Sequence, residues 1–284
     1  MARSFGDRNR APSEKTIKKS VHTALDSLIN APVSIEDDIP AQAAERVALL
    51  LNRIKTIQEG EKPNRYQTSF IDFMFERCYT KDEAKGGVVA LLPKDPYIYD
   101  LADYYFENPL ILVEKSRRVR VSWITCIFDI WIAAGGQDPR WPSLMRASGD
   151  RQVILASRKL QDIQGSQWFL EKRIKFVLDQ LEERDIRSVW PAFPEWEWTA
   201  SEIEFSNRSF ISAIPQGADQ ARGPGATLIH VEELSTWEHA QESIEVMVPV
   251  LEGGGHLIAI STPKSNTYAH RIVSDELKGK RALW

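Results

Sequence analysis

Cysteine is scarce: Cys78 and Cys126 are the only two in 284 residues, and they lie far apart. The pair supports neither a disulfide framework nor a zinc site, and it suits buried reduced thiols of an intracellular protein. Long apolar runs are missing too. None reaches the roughly 18 residues that a membrane-spanning helix needs, so no membrane partner is expected. The opening residues, MARSFGDRNR, hold no apolar stretch, which excludes a secretory signal. No internal repeat or low-complexity tract occurs. Nor is positive charge in excess: 36 Lys and Arg against 40 Asp and Glu leave a net charge of −4. A protein that grips nucleic acid over its whole surface is thereby excluded, while a local basic patch is not.

What is present is an ordinary globular composition, 43% hydrophobic and 27% charged. The length allows one large α/β domain, or one domain with a small accessory lobe. Residues 1–20 carry six Lys and Arg against two acids, which reads as a solvated basic arm. A helix is expected over 15–29, and a stronger one over 40–58, where Ala44, Val47, Leu50, Leu51 and Ile54 recur at helical spacing. Residues 1–60 therefore form a helical, basic N-terminal region, and residues 61–284 the main domain. Lys62-Pro63-Asn64 breaks the chain before an amphipathic run over 67–79. Short apolar strands at 110–113, 152–156, 227–231 and 256–260 then alternate with helices at 122–134 and 162–182. That is the pattern of an α/β fold with a mostly parallel central sheet flanked by helices. Segments 202–205 and 209–214, joined across Ser206-Asn207-Arg208, read as a hairpin. The run WPAFPEWEW at 190–198 reads as a packed loop, because its prolines oppose regular structure.

Three strand ends carry chemistry. The first is LVEKSRRVRVSW at 112–123, a buried strand entering a polar loop that opens an apolar helix at Ser122. Backbone N–H groups and the dipole at a helix start favour an anion, and Ser122 stands where a hydroxyl would ligate magnesium. Lys115, Arg117, Arg118 and Arg120 give this loop four cations and no acid. The usual G-x-x-x-x-G-K-S/T pattern is not met. Lys115 stands at the first glycine, Arg120 at the second and Val121 at the lysine, so a solvated basic loop is the plain alternative.

The second is TLIHVEEL at 227–234, a strand that ends in paired carboxylates. In nucleotide hydrolases the first such acid holds magnesium through water, and the next polarises the attacking water. Glu232 and Glu233 have that order, although Glu232 is one methylene longer than the usual Asp. The third is GGGHLIAISTPKSN at 253–266, where Ser261 or Thr262 is placed to hydrogen-bond the attacking water or the γ-phosphate. Each signal is loose by itself; their order and spacing carry the reading.

Taken together, these segments resemble the N-terminal ATPase domain of the large terminase subunit of tailed bacteriophages. That family often moves its phosphate-loop lysine to the start of the loop, and Lys115-Ser116-Arg117-Arg118-Val119 followed by Arg120-Val121-Ser122 is similar to that variant. Asn64-Arg65-Tyr66-Gln67 looks like the upstream adenine-recognition motif. VILASRKLQDIQGS at 153–166, Ala221-Arg222-Gly223 before the acidic strand, and Ser261-Thr262-Pro263 as the coupling motif extend the likeness over residues 63–271. The resemblance implies a P-loop NTPase of the additional-strand, catalytic-glutamate (ASCE) type with strand order 5-1-4-3-2. It implies ATP and magnesium as cofactors, with the 115–122 loop around the phosphates and Lys115 neutralising their charge. It further implies Arg117 or Arg118 at the γ-phosphate, Ser122 and Glu232 at the metal, Glu233 as the base, Tyr66 and Gln67 on the adenine, and Arg222 as a cis or trans finger.

The implied partners are double-stranded DNA, the portal protein, the small terminase subunit and further copies of the chain in a ring on the procapsid. The implied location is the host cytoplasm, transiently at the portal vertex. Large terminases also carry an RNase H-like nuclease, for which the sequence leaves no room before Trp284, so no DNA cleavage is expected of this chain. Two other readings remain open: another P-loop helicase or translocase, and a non-catalytic nucleotide-binding packaging adaptor.

Overall fold

The computed structural model describes residues 64–82, 85–116, 119–145, 150–158, 170–199, 202–217, 225–251 and 253–274. The helices expected at 15–29 and 40–58, the boundary near residue 60, and Arg117, Arg118 and Arg222 lie outside these. In chain order the elements are α1 (Arg65–Thr68), α2 (Phe70–Arg77), β1 (Tyr79–Asp82), β2 (Val88–Leu91), α3 (Pro96–Glu107), β3 (Leu110–Glu114) and α4 (Val121–Ala133). They continue with β4 (Gln152–Ser157), α5 (Phe176–Glu183), α6 (Ile186–Val189), β5 (Trp196–Trp198), β6 (Glu202–Phe205), β7 (Phe210–Pro215) and β8 (Leu228–Glu232). The last three are α7 (Ala240–Val250), β9 (His256–Ser261) and α8 (Tyr268–Val273).

Seven strands form one sheet in the order β3-β9-β8-β4-β7-β6-β5, and β1 and β2 form a separate hairpin. From β3 to β7 every pairing is parallel; β6 and β5 are added antiparallel. Strands β8 and β9 are buried at every position, which is why their sequences are nearly unbroken apolar runs. Successive residues alternate between two cores. Ile111, Val113, Ile258 and Ile260 face the layer built by α2, α3 and α4, while Leu112, Leu257 and Ala259 face the layer built by α7 and α8. Taking β3, β4, β8 and β9 as strands 1 to 4, the run β3-β9-β8-β4 reads 1-4-3-2. The implied fifth strand beside β3 does not occur among the described residues, and β7 extends the sheet beyond β4 instead.

All thirteen residues of α4 are buried. A helix apolar on every side must be covered on every side. Here the sheet covers one face, and on the other Phe70 of α2 and Phe106 of α3 pack against the α4 rings Phe128 and Trp131. Its C-terminal carbonyls meet a buried cation: Arg151 Nη1 donates to Ile132 O at 2.9 Å and to Gly136 O at 2.5 Å. Both cysteines are free and buried. Among the described residues, no helix is long and apolar enough to cross a membrane.

Two expectations change. The run 67–79 is not one helix: Ser69 adopts an extended conformation and its hydroxyl accepts from Asp72 N, starting α2 afresh, while Tyr79 enters β1. The aromatic run 190–198 is not all loop, because Trp196–Trp198 pairs with β6. Pro194 precedes that strand, so no ladder N–H is lost. The hairpin β1–β2 and helix α3 had no counterpart in the sequence reading.

His256 opens β9, stacked on Trp141 at 3.6 Å between ring centroids, and its Nδ1–H donates to Tyr105 O at 3.0 Å. Burial lowers its pKa to about 4 against a weaker opposing effect of that carbonyl. The unfolded chain takes up this proton near pH 6.5, and the folded chain only near pH 4. Stability is therefore intact above about pH 6.5 and falls as pH drops toward 4, by about 3 kcal/mol in total. His256→Phe keeps a ring on Trp141 and cannot be protonated. Urea unfolding at pH 6.5 and pH 4 should register a smaller acid loss for that variant than for the wild type.

Candidate functional site

Parallel strands end on the same edge of their sheet, and open α/β sheets bind ligands beyond that edge. Here three neighbouring ends meet. Register pairs Glu114 of β3 with Ser261 of β9, and Ile260 of β9 with Glu232 of β8. The residues that follow are Lys115, Thr262 and Glu233. Lys115 N donates to Ser261 O at 2.9 Å, which fixes the start of the loop to the end of β9.

Lys115 Nζ reaches across β9 and donates to Glu233 Oε1 at 2.8 Å. Thr262 donates its N–H to Glu233 Oε2 and its hydroxyl to Oε1, each at 3.0 Å. Burial would raise the pKa of Glu233, but Lys115 and then Thr262 outweigh it and hold the carboxyl below its usual value. Glu233 is thus an anion with three donors. Its backbone sits at φ +51°, a left-handed conformation that strains a residue with a Cβ by about 1–2 kcal/mol. The donors to its carboxylate, and Thr236 N and Oγ1 on its carbonyl, hold it there.

One strand position earlier, Glu232 is 8% exposed and accepts from Ser122 Oγ at 2.8 Å through Oε1. Its Oε2 is buried and has no hydrogen-bond partner among the described residues. A hydroxyl bonded to one oxygen of a carboxylate is a hard-oxygen donor set of the kind magnesium prefers. His230 Nε2 stands 3.5 Å from Oε2, and His230 Nδ1 is 2.7 Å from Asp129 Oδ2 of α4. Burial alone would lower the pKa of His230, but Asp129 and Glu232 hold it raised, to about 9.

The residue directly before α4 makes the turn of a glycine without being one. Arg120 lies at φ +56° directly before α4, in the conformation a glycine would take easily. Its guanidinium turns away to Asp82 Oδ2 at 2.7 Å. Tyr97 OH donates to Val119 O at 2.9 Å, the Val121 side chain is buried, and Ser116 is exposed. Ser261 belongs to the framework: its hydroxyl accepts from Ser235 N at 2.9 Å.

Tyr66 and Gln67 make their hydrogen bonds at the opposite end of α4 from Ser122. Gln67 Nε2 donates to Gly135 O, and Trp131 Nε1 donates to Tyr66 O, so both residues anchor the far end of α4. At 1.5 Å per residue, Trp131 and Gly135 lie about 14 and 20 Å along the helix from Ser122. A separate cavity of about 540 Å³ lies against β5 and β6, lined by residues such as Glu182, Arg187 and Trp196, and touches none of the expected site residues. The sequence reading passed over Asp82, Tyr97, Asp129 and His230. Only the last two left a signal, as lone polar residues in an apolar helix and an apolar strand.

With this geometry in hand, comparison with solved structures becomes informative. The large terminase of bacteriophage HK97 superposes with a TM-score of 0.51 at 14% identity, over 76% of this chain and 42% of that one. The chain shares its fold with a phage large terminase. The matched region spans less than half of the HK97 protein, and at that identity the likeness is one of fold. The large terminase ATPase domain of Thermus phage P74-26 aligns less well, with a TM-score of 0.41 at 14% identity over 63% of this chain and 74% of that one. No protein-family model matches the sequence, and curated proteins give no match either.

Removing the Ser122 hydroxyl leaves a second buried oxygen of Glu232 without a partner. Ser122→Ala should lower folding stability by about 1–3 kcal/mol, read as a shift of the urea midpoint at unchanged slope.

Proposed function

We propose that this chain is the ATP-hydrolysing motor domain of a phage large terminase, which drives double-stranded viral DNA into a procapsid. The observation that carries this reading is the meeting of Lys115 with Glu233, and of Ser122 with Glu232, at one strand edge. The position of β9 between β3 and β8 supports the additional-strand class of P-loop NTPase. The fold shared with the HK97 protein supports the packaging role.

In this reading the triphosphate lies over the 115–122 loop, against the orphan N–H groups that begin α4. Lys115 exchanges Glu233 for the β- and γ-phosphate oxygens, because a phosphate group offers it more negative charge than one carboxylate. Glu233 then keeps its Thr262 donors and has Oε1 available to take a proton from the attacking water. Ser122 and Glu232 would hold magnesium, which when bound neutralises phosphate charge. Thr262, bonded to the base and starting the turn after β9, is suited to pass the state of the site to that turn. Arg117 or Arg118 is proposed at the γ-phosphate and Arg222 as the finger, whether from the same or a neighbouring copy. Ring assembly, the portal protein, the small terminase subunit and action in the host cytoplasm at the portal vertex complete the proposal. Tyr66 and Gln67 are left out of it.

The test is ATP turnover. Glu233→Gln should lower kcat by about 10²–10⁴ while nucleotide binding persists, and Lys115→Ala should weaken binding itself. Equal turnover by wild type and Glu233→Gln would remove Glu233 from the mechanism. Nucleotide binding without any wild-type turnover, with or without DNA, would favour the non-catalytic adaptor.

A further inference from the structure

Two buried polar side chains under the acidic strand end have no part in that reading. Asp129 is 0% exposed and His230 is 1% exposed. Burying an ionisable pair rarely adds stability over apolar side chains of the same size, so their presence in an otherwise apolar core calls for another account. The geometry supplies one. Residues 230 and 232 share a face of β8, because side chains alternate along a strand. Ser122 and Asp129 share a face of α4, two helical turns apart. The four side chains form a file: Asp129 Oδ2 to His230 Nδ1 at 2.7 Å, His230 Nε2 to Glu232 Oε2 at 3.5 Å, and Glu232 Oε1 to Ser122 Oγ at 2.8 Å.

The file matters because Glu232 stands where a shorter acid is usual. A glutamate has one more rotatable bond than an aspartate, and its carboxylate sweeps a larger volume. A group on its second oxygen restricts that motion and turns the first oxygen to Ser122. We propose that Asp129 and His230 are positioning residues, which hold the longer Glu232 side chain so that its carboxylate meets a divalent cation beside Ser122. The inference rests on the reading of Ser122 and Glu232 as the metal pair. Cys126 also lies close, with its ligand atom and those of Asp129 and His230 all within 4.8 Å of one another. A soft-metal site there is disfavoured: Asp129 and His230 already bond each other, and burial pushes the Cys126 thiol well up, away from thiolate.

The test uses the full chain and measures binding rather than turnover. ADP affinity is determined by titration calorimetry with manganese and with EDTA, for wild type, Asp129→Asn, Glu232→Asp and the double variant. Asp129→Asn should weaken manganese-dependent ADP binding by about 10- to 100-fold, as loss of an outer-sphere partner does, and leave metal-free ADP binding unchanged. In the Glu232→Asp background the same change should have less than a threefold effect, since the shorter acid needs no such support. Unchanged manganese-dependent binding, or an equal loss with EDTA, overturns the proposal. If Asp129→Asn does not fold, His230→Gln is judged by the same two affinities. Wild-type protein that gains no ADP affinity from manganese would sink the metal reading of Ser122 and Glu232, and this inference with it. A loss confined to Asp129→Asn with no rescue by Glu232→Asp overturns the inference alone.

Discussion

The Lys115–Glu233 ion pair spans two strands that are not neighbours, and the rest of the site depends on how that span is made. β9 lies between β3 and β8, hydrogen-bonded to both along its length. A parallel pair places strands about 4.8 Å apart, so two steps of the sheet set a gap that a lysine and a glutamate can close together. Thr262, at the end of the intervening strand, sits in that gap and donates twice to the same carboxylate. Were β8 directly beside β3, the two charged ends would crowd each other.

That order of strands is held by burial rather than by the charges. The exposed fraction of the Glu233 side chain is 34%, so its pairing with Lys115 is partly screened and contributes little to folding. The buried faces of β8 and β9, the fully enclosed helix α4 and the aromatic layer over it provide the driving force. Two polar contacts inside this core stand out. Arg151 meets carbonyls at the end of α4, and Asp129 meets His230. A rigid apolar frame thus presents a small charged cluster at its edge, where exchanging one partner for another disturbs no packing.

Much of this was legible in the sequence, for a physical reason. A strand buried on both faces must be apolar at nearly every position, so 110–113, 227–231 and 256–260 stood out, and the polar residues that end them marked the edge. What could not be read were contacts between distant positions that lack any periodic signal. Asp82 meets Arg120 across 38 residues, and nothing local in KDEAKGG announces it. The hairpin β1–β2 was hidden because Val88, Val89 and Leu91 are exposed and show no inward alternation. Tyr66 and Gln67 resemble a nucleotide-reading pair, yet their hydrogen bonds brace the end of α4, as an Asn-capped turn followed by a glutamine can do in any helical protein.

Arg120 shows how a pattern can fail in letters and persist in shape. A phosphate loop prefers glycine at that position because the backbone must turn left-handed before the helix starts, and the same turn is made here at φ +56° by a residue with a long side chain. The strain of about 1–2 kcal/mol is opposed by the ion pair with Asp82, whose carboxylate is 89% covered and so less screened than a surface partner. The side chain is thereby drawn toward β1, leaving Lys115 as the described loop cation that meets Glu233. The arginine substitutes for glycine in conformation and for a tether in function. The left-handed turn that a glycine would allow is thus made without one.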